Sequence, residues 1–122
     1  MNKTICNQAD YLFKHEIKQM NGSTVIPVSG AAWRSIEATE KPVYRSEIKQ
    51  NDAGPTLEET VTVKTRRKAD EPLRGLAAFP LVLRMQTNDE TFYVGSPEYP
   101  AVLEVSGDRV FETFTFTAVS VQ

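Results

Sequence analysis

Few residues in this chain of 122 have side chains that could carry chemistry, and they are far apart in sequence. His15 is the only histidine, and Cys6 is the only cysteine. A nucleophile needs a base positioned beside it, and a zinc site usually draws on several His or Cys ligands. One residue of each type meets neither requirement. We therefore expect His15 to be a structural or surface residue and Cys6 to be a small, partly buried thiol.

The acidic pairs of the chain do not have the arrangement that catalysis by two carboxylates needs. Neighbouring residues on a strand point to opposite faces, so a pair such as Glu58 and Glu59 cannot converge on one substrate. We expect these carboxylates to be solvated. An enzyme that uses Glu58, Glu59 or His15 is the least favoured hypothesis. The sequence predicts no catalytic residue, no cofactor and no metal site.

Glycines and serines give no further catalytic motif. The six glycines occur singly, mostly beside Asn, Ser, Asp or Pro, and no Gly-Lys-Ser/Thr is present. This spacing indicates turns and not a phosphate-binding loop. The segment Gly95-Ser96-Pro97 lacks the Gly-x-Ser-x-Gly pattern of a nucleophile elbow, so it too is predicted to be a turn.

A basic cluster in the middle of the chain has the most functional potential. Positive charge of this kind can bind an acidic partner surface or DNA. The alternative is that the run of charges is only a solvated surface, whose positive charge is partly offset by Asp70 and Glu71. Both interpretations stay open. Trp33 and Tyr44 are aromatic residues of the kind found at contact sites, although a core role is the alternative for Trp33. The cluster comprises Lys64, Arg66, Arg67, Lys68 and Arg74. The predicted partner contacts are Arg66, Arg67, Lys68, Arg74 and Tyr44.

Composition narrows the class of protein. Hydrophobic residues make up 40% and charged residues 25%, which is ordinary for one globular domain over residues 1–122. A formal net charge of −2 gives no basic footprint, so we do not expect nucleic acid as a partner. The N-terminal residues lack the apolar region of a signal peptide, and no apolar run approaches the roughly 20 residues of a membrane helix. We expect no membrane association.

Strand patterns dominate the first half. Residues 9–20 fit either a strand, by alternation, or a helix with Asn7 as its N-cap. A turn is predicted at Asn21-Gly22 and another over residues 51–55. Pro27 has no N–H to donate, so its strand should lie at an edge or end there. The strand segments predicted after residue 20 are 24–28, 31–38 (or a short helix), 43–50 and 56–66, and the last two form a hairpin whose polar strand 43–50 suits a sheet edge.

Residues 66–75 are the one break in this pattern, because their charge leaves little to bury. We predict an exposed charged loop, or a single helical turn over residues 69–71. Residues 79–119 then contain apolar runs between polar turns, typical of a closing β-meander. In its last strand Phe114, Phe116 and Ala118 share one face, which should fix the register. The fold prediction is mainly β: a single-domain antiparallel β-sandwich or partly open β-barrel with at most one short helix.

From Trp33 onward the order of segments resembles small structural, tail-associated proteins of Bacteroidetes prophages. The resemblance covers about two-thirds of the chain, and its most distinctive part is Gly-Ser-Pro-Glu-Tyr-Pro over residues 95–100. The chain departs from the family pattern at Asp89-Glu90, where Gly is usual, and in a shorter loop between Arg67 and Phe79. The other segments that carry the resemblance are residues 44–47 (Tyr-Arg-Ser-Glu), 51–54, 58–67, 81–85, 92–94 (Phe-Tyr-Val) and 110–119.

The resemblance implies a non-enzymatic virion component that works by subunit contacts, with edge strands and extended loops meeting neighbours. It carries no catalytic residues to transfer. Expected partners are other virion proteins or further copies of the chain, as a homo-oligomer on assembly. The expected location is the host bacterial cytoplasm and then the virion. The alternative function is a small-molecule-binding β-barrel, in which Leu83, Leu103, Phe114 and Phe116 would line a cavity.

Overall fold

The computed structural model describes residues 2–21, 24–50 and 52–121, and these form eleven strands. Short strands fill the first third of the chain, and the two longest strands have eleven residues each. The bounds are β1 Asn2–Ile5, β2 Gln8–Phe13, β3 Ile17–Asn21, β4 Thr24–Pro27, β5 Arg34–Ser35, β6 Val43–Lys49, β7 Thr56–Arg66, β8 Leu81–Gln86, β9 Thr91–Val94, β10 Val102–Gly107 and β11 Phe111–Val121.

Two antiparallel sheets build the body of the protein. One has five strands in the order β1-β6-β7-β11-β10, and the other has four in the order β5-β2-β8-β9. A separate two-stranded sheet pairs β3 with β4. The backbone of β7 is paired with β11 over its full length, from Arg66 opposite Phe111 to Thr56 opposite Val121. The sheets pack together without closing into a barrel, which confirms the mainly β, sandwich-like prediction.

The core lies between the two sheets, because strand alternation places one row of each strand inside. Phe114 and Phe116 of β11 are fully buried and Ala118 is 3% exposed, so the predicted inward row is confirmed. Fully buried residues of β8 belong to the same apolar cluster, among them Leu83 and Met85.

The predicted closing meander is divided between the two sheets. Its strands β8 and β9 belong to the four-stranded sheet, whereas β10 and β11 belong to the five-stranded one. The chain crosses over in residues 95–101, where Ala101 exchanges two backbone hydrogen bonds with Leu81, at 2.9 and 2.7 Å. Gly95 has a φ of +85°, and a Cβ on it would lie 3.0 Å from the Ala101 nitrogen. The crossover therefore needs glycine at this position.

The polar strand β6 is not at an edge, which makes that prediction wrong. It lies between β1 and β7, and Tyr44 is paired with both Thr4 and Val61. The sequence does not predict the N-terminal strand β1, because its four residues, Asn2–Ile5, are too few to show an alternation of apolar and polar side chains. The edge of the five-stranded sheet, where the polarity of β6 predicted that β6 would lie, is occupied by β1.

Residues 9–20 follow neither single-element interpretation. The chain forms β2, then a single 3-10 turn over Lys14–Glu16, and then β3 in a different sheet. Residues 31–38 contain only the two-residue strand β5. The strand β4 ends at Pro27, as predicted. Gly22 of the predicted Asn21-Gly22 turn and Asn51 of the next turn lie outside the described residues.

The charged segment 66–75 is more ordered than an exposed loop. Arg66 still belongs to β7, and a 3-10 helix begins at Pro72 and ends at Ala78. Leu73 and Leu76 of this helix are buried in the core, and Glu71 just before it is 7% exposed. The buried side chains of Leu73 and Leu76, three residues apart, therefore hold the segment against the sandwich. No helix in the described ranges is long and apolar enough to span a membrane.

Candidate functional site

The predicted contact residues of the charged segment separate into two groups. Arg66, Arg67 and Lys68 are exposed. The backbone of Arg67 donates to the Val110 oxygen at 2.8 Å, and its guanidinium donates to the Asp108 oxygen at 3.2 Å. Arg67 is thereby held against the β10–β11 turn. The side chains that remain most available at this end of the sandwich are those of Arg66 and Lys68.

The side chain of Arg74 makes its hydrogen bonds within the fold. Its Nε donates to Glu112 Oε2 at 2.8 Å, a second guanidinium nitrogen donates to Glu112 Oε1, and Nη1 donates to the Ala69 oxygen at 2.9 Å. The Glu112 side chain is only 4% exposed. The hydrogen bonds from Arg74 hold the pKa of Glu112 below its usual range, and the same bonds raise the pKa of Arg74. Arg74 therefore positions the 3-10 helix against β11.

This ion pair predicts an acid-sensitive component of stability. A carboxyl whose pKa is lowered on folding stabilises the protein above its unfolded-state pKa, and this contribution is lost as the pH falls through the folded-state pKa. We expect wild type to be more stable than Glu112→Gln at pH 7 and the difference to shrink below pH 4.5, the ordinary value for this carboxyl. Urea unfolding at a series of pH values measures it. A difference that does not change with pH would contradict this role of Glu112.

Tyr44 lies apart from the charged segment, in the space between the two sheets. Its ring packs edge-on against Phe92 of β9 with centroids 4.8 Å apart, and its hydroxyl donates to Glu59 Oε2 at 2.7 Å. Burial, together with the Glu59 carboxylate, raises the pKa of Tyr44 to about 12. The structure thus does not bring Tyr44 together with Arg66, Arg67, Lys68 and Arg74.

The side chains that could take part in catalysis or bind a metal lie apart from one another in the structure. His15 is exposed, and its ring stacks on Phe13 with centroids 5.5 Å apart. Cys6 is fully buried, and burial raises the pKa of its thiol, so it is less reactive than an exposed one. Glu58 and Glu59 are consecutive on β7 and point to opposite faces. Within the described ranges no three His, Cys, Asp or Glu side chains are grouped so that they could hold a metal ion.

A buried polar network on the four-stranded sheet was missed by sequence reasoning. Asp10 of β2 is 1% exposed, on the sheet face opposite its apolar neighbours Ala9 and Tyr11. Arg84 pairs with Oδ2 at 3.0 Å, and its guanidinium also lies 4.7 Å from the Trp33 ring centroid. The other donors to the Asp10 carboxylate are Gln8 at 2.8 Å, Ser35 at 3.0 Å and Gln86 at 2.9 Å. The network holds β5, β2 and β8 together.

The outward side of the five-stranded sheet is a continuous surface that crosses all five strands, and we call it the threonine face. Strand pairing aligns Thr115 with Thr62 and Thr117 with Thr60, so hydroxyl and methyl groups form rows across β7 and β11. None of the side chains on this face is classed as buried, whereas the inward rows of β7 and β11 are buried from Val61 to Thr65 and from Glu112 to Ala118. The face comprises Lys3, Ile5, Val43, Arg45, Glu47, Lys49, Thr56, Glu58, Thr60, Thr62, Lys64, Arg66, Val102, Glu104, Ser106, Phe111, Thr113, Thr115, Thr117, Val119 and Val121.

Large apolar side chains are exposed on the threonine face. Ile5 is 61% exposed at one edge, and Val102, Val119 and Val121 are 51%, 46% and 59% exposed toward the other. The uncovered side of an antiparallel sheet is usually lined by charged and strongly polar residues. This face also carries charged residues, but β-branched side chains between them present methyl groups. Ordered β-branched side chains lose little rotamer entropy on contact. The arrangement suits a flat contact with another protein surface.

Comparison with known proteins finds no relative. No family model matches the chain, and no curated protein sequence and no solved structure is similar to it. Function must therefore be inferred from the arrangement of the residues.

Proposed function

We propose that this chain is a non-enzymatic structural or assembly protein of a phage or prophage, tail-associated, that works through contacts between copies of itself. The threonine face is the surface that meets the neighbouring copy. Its exposed valines and isoleucine supply apolar area that self-association would remove from water, at roughly 25 cal/mol per Å². The residue order of the Gly95–Pro100 corner resembles that of prophage tail proteins, and this resemblance supports the phage part of the proposal.

The single observation that carries the proposal is the contrast between the two sides of one sheet. The inner side of β11 buries Phe114 and Phe116, whereas its outer side leaves Val119 and Val121 to solvent. A strand that serves a core alone needs apolar residues on one side only. Apolar residues on the second side mark an interaction surface when they are contiguous. Val102 of β10 extends this patch beyond β11, since it is the registered partner of Thr117.

Charge placement on the same face is compatible with contact between copies. The face carries both signs: Arg45 is the partner of Thr60, Lys64 of Thr113, and Glu104 of Thr115. Glu58 is the partner of Val119, so charged residues lie among the apolar ones, and a copy could pair its acidic and basic positions with those of a neighbour. A closed two-fold arrangement would use the same patch on both copies.

We expect the double variant Val102→Lys, Val119→Lys to associate more weakly than wild type, because lysines buried in the contact must be desolvated or excluded. Sedimentation velocity and negative-stain imaging at high protein concentration measure the assemblies. The matched control is Ile26→Lys on β4, which replaces another exposed apolar side chain (43% exposed) away from this face. Circular dichroism checks that each variant folds.

Three results would contradict the proposal. One is an equal loss of association in Ile26→Lys, which would mean that added charge and not the threonine face is responsible. A second is a strictly monomeric wild-type protein at every concentration together with no association with phage particles. The third is a folded double variant that assembles as well as wild type, which would exclude Val102 and Val119 from the contact.

A further inference from the structure

The outward side chains of β7 are arranged by charge along the strand. Glu58 lies toward the end that begins at Thr56, and Lys64 lies toward the end at Arg66. Because alternate residues of a strand share one face, the outward row in chain order is Thr56, Glu58, Thr60, Thr62, Lys64 and Arg66. If the direction of this row is reversed, acid and base change places, and threonine still falls on threonine at the centre.

The neighbouring strand β11 has a similar symmetry, built from apolar groups. Its outward row lies opposite the β7 row in register, with Phe111 across from Arg66 and Val121 across from Thr56. Reversal of this row exchanges Phe111 with Val121 at its ends and again leaves threonine on threonine at its centre. Both strands share one centre of reversal, which lies between the members of the pairs Thr60/Thr62 and Thr115/Thr117.

We propose that two copies meet threonine face to threonine face with their β7 strands running in opposite directions. This orientation rests on the proposed function, which places the contact on the threonine face. Two sheets that pack face to face keep their strands aligned to within about 30°, so the strands of the neighbour run either in the same direction or in the opposite one. A two-fold axis that crosses β7 and β11 at the centre of reversal gives the opposite direction and uses the same residues on both copies.

The opposite direction brings complementary groups together. Glu58 of each copy lies across from Lys64 of the other, so two ion pairs flank the threonine centre. Phe111 of each copy lies across from Val121 of the other, and this contact removes apolar surface from water. Val121 is 59% exposed in the single chain, and Phe111 is partly exposed.

The same direction brings like groups together or buries a charge. If the two-fold axis runs along β7, Glu58 faces Glu58 of the other copy, and Lys64 faces Lys64. If the axis runs between β7 and β11, Glu58 faces Val119 of the other copy, and its carboxylate loses water without gaining a cation. Charge complementarity along β7 therefore selects the opposite direction.

The charged groups have only exposed partners within their own chain. Lys49 lies 3.1 Å from Glu58, and Glu40 lies 3.7 Å from Lys64. Lys64 Nζ is also 4.8 Å from the ring centroid of Phe111, which shows that both side chains lie on this face. Exposed ion pairs contribute little to stability, so they do not hold Glu58 and Lys64 away from a neighbour.

Charge reversal in the full chain, followed by sedimentation equilibrium, tests the orientation. Glu58→Lys sets two lysines against each other at each ion pair, and Lys64→Glu sets two glutamates against each other. Each single variant should therefore raise the dissociation constant about tenfold. The double variant Glu58→Lys, Lys64→Glu restores opposite charges and should associate as tightly as wild type. The matched control is Glu98→Lys, the same charge change at an exposed residue outside the threonine face, which should leave association unchanged.

The outcomes separate this orientation from the proposed function. Folded single variants that associate as tightly as wild type would overturn the opposite direction, because copies running in the same direction gain no repulsion from either change. A double variant as weak as the single ones, or an equal loss in Glu98→Lys, would overturn it too. In these cases the proposed function survives if Val102→Lys, Val119→Lys still disrupts association. A wild-type protein that does not associate through the threonine face contradicts both.

Discussion

Phe116→Ala should lower the free energy of unfolding by about 3 to 5 kcal/mol, the usual cost of removing a buried phenylalanine ring. The ring of Phe116 is fully buried in the cluster between the two sheets. Because a protein of this size has roughly 5 to 15 kcal/mol of stability in total, the loss is a large fraction of it. Urea unfolding followed by tryptophan fluorescence measures the difference between variant and wild type.

Phe79→Ala is the matched control, because it removes the same side chain from an exposed position. Phe79 is 48% exposed and makes one edge-on ring contact with Phe13, with centroids 5.3 Å apart. We expect a cost of about 1 kcal/mol, the value of one aromatic pair. If Phe116→Ala costs no more than Phe79→Ala, the register of β11 is not the one described, since a slip of one residue moves every side chain to the other face.

The second large effect is expected for Asp10→Ala, with a loss of about 3 kcal/mol in unfolding free energy. Breaking a buried ion pair costs about 3 to 5 kcal/mol, because the remaining charge is left without its partner. The low end applies here, since the Arg84 side chain is 28% exposed and can still reach water. Removal of the carboxylate also leaves the Gln8, Ser35 and Gln86 donors without their acceptor.

Two control variants, Asp10→Asn and Glu40→Ala, should each cost less stability than Asp10→Ala. Asn keeps the shape and one acceptor oxygen, so its cost should be smaller than that of Ala. Glu40 belongs to an exposed pair with Lys64 at 3.7 Å, and its loss should change stability by less than about 0.5 kcal/mol. If Asp10→Ala were as mild as Glu40→Ala, the network on the four-stranded sheet would be unimportant for stability.

Local sequence patterns were sufficient to predict much of the fold. The alternation of Phe and Thr over residues 113–117 predicted which row of β11 is buried, and the turn residues 51–55 between two strand patterns predicted the β6–β7 hairpin. Both features depend on neighbours in sequence, which a single chain shows directly. The position of β6 was missed because its polarity suggested an edge, whereas β1, four residues of weak pattern, covers it.

The candidate surfaces were harder to predict because they depend on long-range pairing. The Thr row of β11 was visible, but its alignment with Thr60 and Thr62 follows from the pairing of β11 with β7. Asp10 meets Arg84 across 74 residues of sequence. The only sequence signal was an acidic residue, Asp10, inside one predicted strand and a basic residue, Arg84, inside an apolar run. Arg74 was predicted as a contact residue, yet its fork-like guanidinium is used by Glu112 within the fold.

The proposed function would account for the second apolar row of a sheet that already has a core on its other side. One face stabilises the subunit, and the other would stabilise the assembly. This division requires that the subunit folds without its neighbours, which the buried cluster of both sheets supports. It also requires that the threonine face becomes protected only when copies meet.

Hydroxyl-radical footprinting at low and high protein concentration tests this requirement most directly, because it reports the solvent exposure of individual side chains. If copies associate through the threonine face, oxidation of Val102, Val119 and Val121 should fall as the concentration rises. Oxidation of Ile26 and Phe79, which are exposed elsewhere, should stay constant. Equal oxidation of the three valines at all concentrations, or protection of Ile26 and Phe79 in their place, would contradict the account.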